Sequence, residues 1–453
     1  MIDPADSRRP PNIVVLISHD LGCHIGPYGF AVAQTPRLNQ FAREGMRLDR
    51  HFVSSPGCSQ SRSSLVTGRY PHSNGQFGLA NWGWKPNDNV HLLPSVGRGK
   101  GYHTALFGIW HLHEWTLSAF DTTSEDVSTL DSSPEGFAEI ASHRAADWLH
   151  SRARNPEPFY LHIGFWEVHR PFCGTECKDQ PCVTPEDVSQ IKLPAYLPDN
   201  EPTRREFAEL TRSISVVDQG VARVLAALDE SGLAENTLVV FTADHGLPFQ
   251  RAKGTLYDPG IQVACLVRWP GRIAAGSTTD ELTSNVDMMP TLLEAAGIDV
   301  PANVQGRSQL GLLCGPGRLR QNRDAIFAEK TYHEHYDPIR CVRTKFHKYI
   351  RNFAERPMLV LPSDIYNSPS RQSMTNDDSL WNHRPQEELY DLTEDPSEQR
   401  NLIDDPDLAG VAEAARIRLA EWMERTDDPL RHGPIPRPST NGRAHGVSPK
   451  SMS

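Results

Sequence analysis

NIVVLISHDLG (residues 12–22) decides how the rest of the chain is read. Its apolar core, Ile13 to Ile17, does not alternate as a half-buried strand would, and it is too short for a helix. Such a run reads as a strand buried on both faces, the kind found in parallel sheets covered by helices. It stops at His19-Asp20-Leu21-Gly22. In open parallel sheets, ligands gather at the carboxyl ends of strands.

The same pattern recurs downstream. HTALFG (103–108), PFYLHIGF (158–165), TLVVFTAD (237–244) and VACLVRWP (263–270) read as further buried strands. TPRLNQFAREG (35–45) reads as a helix, with Thr35 as cap, Pro36 at the first position and Gly45 as stop. Residues 204–231 space Phe207, Leu210, Ile214, Val217, Val221, Val224 and Leu228 three or four apart, one face of a long helix. Strands alternating with helices predict an α/β domain over 1–325, with a large, mostly parallel or mixed sheet between helices. Beyond it, DAIFAEK, CVRT and KYIRN read as short strands and GVAEAARIRLAEWMERT (410–426) as a helix. They predict a smaller α+β domain over 326–431, and the Pro-, Ser- and Gly-rich remainder, 432–453, reads as a flexible tail.

Ligand-type residues follow strand after strand: His19 and Asp20, then Gly108 and His111, then Trp166, Glu167 and His169, then Asp244, His245 and Gly246. Taken singly, each is a turn or cap residue. Two carboxylates with neighbouring imidazoles at one sheet edge form a plausible divalent metal site.

A formal charge of -11 argues against nucleic acid or an anionic membrane as the main partner. No apolar run reaches the roughly 18 residues of a membrane span. The start, MIDPADSRRPPN, lacks a secretory apolar region. A cytoplasmic protein is therefore expected. Eight cysteines in 453 residues are no disulfide scaffold. Cys173, Cys177 and Cys182 fit no zinc spacing and read as reduced loop thiols.

One thiol stands apart. SSPGCSQSRSSLVTGRYPH (54–72) sets Cys58 in a hydroxyl-rich turn, with Arg62 four residues on and a helix opening behind it. A helix start offers free N–H groups and a favourable dipole to an anion. Cys-Ser-Gln-Ser-Arg followed by Ser-Ser-Leu-Val-Thr-Gly-Arg resembles the sulfatase signature C-x-P-S-R-x-x-L-x-T-G. The resemblance extends over nearly the whole chain: Gly108-Ile109-Trp110-His111, His169, Lys253-Gly254-Thr255-Leu256-Tyr257, and Glu388-Leu389-Tyr390-Asp391-Leu392 with Asp395-Pro396, Glu398 and Asn401-Leu402. Asp218-Gln219-Gly220-Val221, Thr242 to Phe249 and Tyr332-His333-Glu334 before Pro338 to Arg343 are similar to the sulfamidase (heparan N-sulfatase) branch.

The resemblance implies an alkaline-phosphatase-like fold and a hydrolase of sulfuric esters or sulfamates. It implies a formylglycine derived from Cys58 by a formylglycine-generating enzyme, and one divalent metal held by His19, Asp20, Cys58, Asp244 and His245. A hydrated aldehyde carries two hydroxyls on one carbon. One attacks sulfur; the other then expels sulfate by re-forming the carbonyl, a release an ordinary serine ester lacks. Arg62 would stabilise the ionised hydroxyl, His111 would take the second proton, and His169 and Lys253 would serve the leaving group. His333 and Glu334 would read the sugar, so the expected partner is a sulfated saccharide or small sulfate ester, with homo-oligomers open.

Four positions depart from the pattern. Gln60 stands where proline or alanine is usual, beside the cysteine that maturation must read. Ile109 replaces the lysine of G-K-W-H. His19 and His245 replace an aspartate and an asparagine. Calcium is the family default and prefers oxygen, whereas two imidazoles suit manganese or zinc. A phosphonate or phosphate-ester hydrolase on the same scaffold, and a non-catalytic homologue, are the alternatives.

Overall fold

The computed structural model describes residues 9–124, 137–172, 188, 191–315, 322–374 and 382–438. Cys173, Cys177 and Cys182 lie outside them, as does the chain beyond 438.

Residues 12–18 form β1 (Asn12–Ser18), buried at all seven positions. It runs parallel to β5 (Phe159–Phe165) on one side and to β6 (Thr237–Ala243) on the other. The pleat sends successive side chains to opposite faces. Val14 and Leu16 join one apolar core with the helices Pro36–Glu44, Phe137–Arg152 and Glu201–Glu230. Ile13, Val15 and Ile17 join another with the helices Cys58–Thr67 and Met288–Ala295. Two covered faces explain the unbroken apolar run.

The large sheet has eight strands in the order β4-β3-β5-β1-β6-β7-β2-β8. Here β2 is Met46–Phe52, β3 His103–Gly108, β4 Thr122–Thr123, β7 Cys265–Arg268 and β8 Ser277–Ser284. The β7 strand pairs antiparallel with β6 and β2, which makes the sheet mixed. A buried antiparallel strand carries the same apolar run as a parallel one, so VACLVRWP could not announce its direction.

The helix Pro36–Glu44 starts where expected, but Thr35 makes no side-chain cap. Its hydroxyl accepts from Gly26 N instead. Asp218, on the long helix Glu201–Glu230, accepts from Leu38 N at 2.8 Å and Arg37 N at 3.2 Å. The cap is tertiary. Gly45 closes the helix in extended backbone, and a Cβ there would lie 2.3 Å from the Val267 carbonyl oxygen. Close approach to β7, rather than a left-handed turn, requires glycine.

A second, antiparallel sheet runs β12-β11-β10-β9, from Glu387–Asp391, His347–Asn352, Tyr336–Thr344 and Ala325–Tyr332. Ala412, Leu419, Trp422 and Met423 of the helix Ala409–Arg425 pack on it. Glu329 N donates to Ser54 O at 2.8 Å, which ties β9 to the loop before Cys58. Ile435 is buried, and its carbonyl accepts from Tyr332 Oη at 2.7 Å. Among the described residues, no helix is long and apolar enough to cross a membrane.

Candidate active site

Four strand ends and one helix start deliver the site. His19 and Asp20 leave β1, Asp244 and His245 leave β6, His111 follows β3 and His169 follows β5. Cys58 is the first residue of the helix Cys58–Thr67, whose ten residues are all buried. Two of these residues carry positive φ without being glycine: Asp20 at 50° and His111 at 57°. Non-glycine residues persist in that region where the surrounding structure over-determines them, often at functional sites.

Ligand atoms of His19, Asp20, Cys58, Asp244 and His245 all lie within 4.8 Å of one another. Cys58 Sγ is 3.1 Å from His245 Nε2, which is 3.0 Å from Asp20 Oδ1. His19 Nδ1 meets Asp20 Oδ1 at 2.6 Å, and its Nε2 has no hydrogen-bond partner. Asp20 N donates to Asp244 Oδ1 at 2.9 Å, which locks the two strand ends together.

Cations ring this core. Arg62 Nε donates to Asp244 Oδ2 at 2.9 Å and Nη1 to Ile109 O at 3.0 Å, while buried Nη2 has no partner. Lys253 Nζ bridges Asp20 Oδ2 at 2.8 Å and Asp364 Oδ2 at 2.9 Å. His169 stacks on Trp166, centroids 4.3 Å apart, and its Nε2 lies 4.0 Å from Asp364 Oδ2. His111 stands against Cys58 and is coupled to it electrostatically.

The electrostatics follow from this packing. Burial works against every charge here. It would raise the Cys58 thiol, but His19, His245 and Lys253 pull it well below its ordinary value. Burial would lower His19, yet Asp244, Cys58 and Asp20 push it up to about 9. Burial, reinforced by Lys253, takes His169 down to about 4. Asp20 is held well below the carboxylate range against burial, by Lys253 first. Two buried cations, Arg62 and Lys253, beside this thiol suit the place to negative charge.

Other expected residues take less direct places. His333 is buried with both ring nitrogens unpartnered. Glu334 Oε1 accepts from Ser363 N at 2.9 Å and from Ser363 Oγ at 2.8 Å. Glu167 turns away from the site: its carboxylate accepts from Ala138 N at the start of the helix Phe137–Arg152. Gln60 Nε2 donates to Tyr332 O at 2.6 Å, tying the helix of Cys58 to the end of β9, a contact proline could not make. Ile109 is buried and leaves its position without a cation. Asp364 is the residue that the sequence reading missed. It sits in LPSDIY, with no periodicity or motif to flag it, 111 positions from Lys253.

The donor set is two carboxylates, two imidazoles and position 58, with one imidazole nitrogen free. These residues fit a divalent metal, and the imidazoles suit a softer ion than calcium.

Known proteins share this architecture. The Sulfatase family model matches residues 11–298, and a model described as N-sulphoglucosamine sulphohydrolase, C-terminal, matches 244–379. The chain is 29% identical to human N-sulphoglucosamine sulphohydrolase over 93% of its length and 91% of that protein. Its fold is similar to a structure described as in complex with its substrate D-glucosamine-2-N,6-O-disulfate (TM-score 0.70, 19% identity, 94% of this chain and 99% of that one). It is also similar to the phosphonate monoester hydrolase of Agrobacterium radiobacter (TM-score 0.69, 20% identity, 92% and 96%). With the family model covering well over half its length, the chain belongs to the sulfatase family.

Proposed function

We propose that this sulfatase-type hydrolase removes N- or O-linked sulfate from an amino sugar, using a formylglycine made from Cys58 and one divalent metal. One observation carries the reading. Position 58 opens a buried helix within 4.8 Å of two carboxylates and two imidazoles, with Arg62 and Lys253 paired to those carboxylates. When present, the formylglycine supplies a geminal hydroxyl nucleophile and the metal a Lewis acid.

The chain's own residues do the rest. His19, Asp20, Asp244 and His245 would hold the metal. Arg62 Nη2 is free to meet a sulfo oxygen while Nε fixes Asp244. His111, set against Cys58, accepts a proton from position 58. His169 and Lys253 stand together, linked by Asp364, where the leaving group would depart. His333, also unpartnered, is available to the sugar.

A second reading, phosphonate or phosphate-ester hydrolysis, is favoured by the two imidazoles in the donor set. The test is mass spectrometry of the Cys58 peptide after co-expression with a formylglycine-generating enzyme, followed by turnover of 4-nitrophenyl sulfate, 4-nitrophenyl phosphate and N-sulfoglucosamine. Formylglycine and preferential sulfate release are expected. A free thiol alone would end the mechanism as stated, and preferential phosphate release would promote the second reading.

A further inference from the structure

A site built to hold a sulfo group has a carboxylate at its rim. Asp364 Oδ2 accepts from Lys253 Nζ at 2.9 Å and lies 4.0 Å from His169 Nε2. Its Oδ1 takes no hydrogen bond from the described residues, and the side chain is 18% exposed. The turn that carries it is fixed from the second sheet. Glu334 Oε1 accepts from both Ser363 N and Ser363 Oγ, and Arg437 donates to the Glu334 carbonyl. The Pro362 ring packs close to Gly254, next to Lys253: a Cβ added at Gly254 would lie 3.4 Å from it. The carboxylate is therefore held, not drifting.

A fixed anion here repels a sulfo group and offsets the cations that attract it. That arrangement is compensated by a substrate that brings a hydrogen-bond donor to the open oxygen. We propose that Asp364 is a specificity-determining residue: Oδ1 accepts from a sugar hydroxyl on the carbon next to the sulfated one. Oδ2 meanwhile holds Lys253, so substrate orientation and the leaving-group cation are set by one side chain. Glu334 is then a positioning residue for Asp364. The proposal rests on the sulfate-hydrolase reading. It adds that saccharides are selected over sulfates lacking a neighbouring hydroxyl.

The test compares kcat/KM on N-sulfoglucosamine and on 4-nitrophenyl sulfate for wild type, Asp364→Ala and Asp364→Asn, with folding checked by circular dichroism. Both activities fall, because Lys253 loses a partner. The saccharide-to-aryl ratio should fall at least about 10-fold in Asp364→Ala. It should fall less in Asp364→Asn, which keeps an acceptor oxygen. An unchanged ratio would overturn the proposal and leave Asp364 as a support for Lys253. If wild type leaves the saccharide intact, the reaction assignment fails separately, and calorimetric binding of N-sulfoglucosamine decides. At least 10-fold weaker binding by Asp364→Ala supports the proposal; equal or undetectable binding in both proteins overturns it.

Discussion

His19, Asp20, Asp244 and His245 form one buried cluster, and His72, Glu329 and Asp428 form another at the foot of the second sheet. Both have the residue types of a metal site. In the second, Arg340 Nε meets Asp428 Oδ2 at 2.6 Å and Nη2 meets Glu329 Oε2 at 3.2 Å. His72 Nδ1 adds a contact to Glu329 at 2.8 Å, and its ring packs edge-on against Trp422. Each carboxylate there has its cation. His19 Nε2 and Arg62 Nη2 make no hydrogen bond in the first, and His72 Nε2 makes none in the second. The carboxylates of both clusters meet cations, so the difference is the company they keep: the first adds two imidazoles and a thiol at the carboxyl ends of strands, where ligands gather. The second cluster ties the helix Pro71–Asn74 to the second sheet, and the first has the donors to hold a ligand.

The largest effect separates the two at once. Cys58→Ala should lower sulfate hydrolysis by at least about 10³-fold, as loss of a nucleophile does, while thermal unfolding stays cooperative. Steady-state assays on 4-nitrophenyl sulfate read this, and retained activity would remove position 58 from the chemistry.

Arg340→Ala should do the reverse. It leaves two buried carboxylates without their cation, a loss of about 3–5 kcal/mol, read as a lower urea midpoint with hydrolysis per folded molecule largely kept. Unchanged stability would erase the distinction between the clusters.

The donor set gives a smaller, sharper effect. With formylglycine at position 58, His19→Asp combined with His245→Asn makes the set all-oxygen. Relative affinity should move by about 10-fold or more towards calcium. Metal content after purification and ion-dependent shifts in Tm report it. Calcium in wild type and variant alike would sink the argument from imidazoles.

The smallest effect lies outside both clusters. Burial raises the Asp218 carboxyl from 3.8 to about 6, against its bonds to Leu38 N and Arg37 N. The folded state therefore holds this proton more tightly than the unfolded one. Its stabilising contribution is complete below about pH 3.8 and is lost as pH rises through about 6. Asp218→Asn keeps a cap, so it should stay within about 1 kcal/mol of wild type. It should lack that decline between urea midpoints measured at pH 4 and pH 7. The same slope in both proteins would assign the titration elsewhere.

Much of this was legible in the chain. Strand runs bounded by His-Asp, Asp-His or Gly-Ile-Trp-His announce both a strand and the chemistry at its end, because strand termination is local. Glu167 shows the limit: it ends a strand like its neighbours, yet turns to the helix Phe137–Arg152. Thr35 shows another, since the acceptor that caps its helix comes from Asp218, 180 positions from Leu38. Asp364 was invisible because its meaning lies wholly in where the second sheet puts it.

By itself the sequence determined β1, β3, β5, β6 and β7, the helices Pro36–Glu44 and Glu201–Glu230, the α/β class and the residues that gather around Cys58. Those follow from apolar run length, helical spacing and motif, which are properties of neighbours in the chain. Only the tertiary structure decided which buried charges are satisfied, that β7 runs antiparallel, that Glu334 supports a turn, and that Asp364 stands beside Lys253 and His169. Partnering of charges depends on distances of a few ångströms between segments far apart in sequence, and no local pattern encodes that.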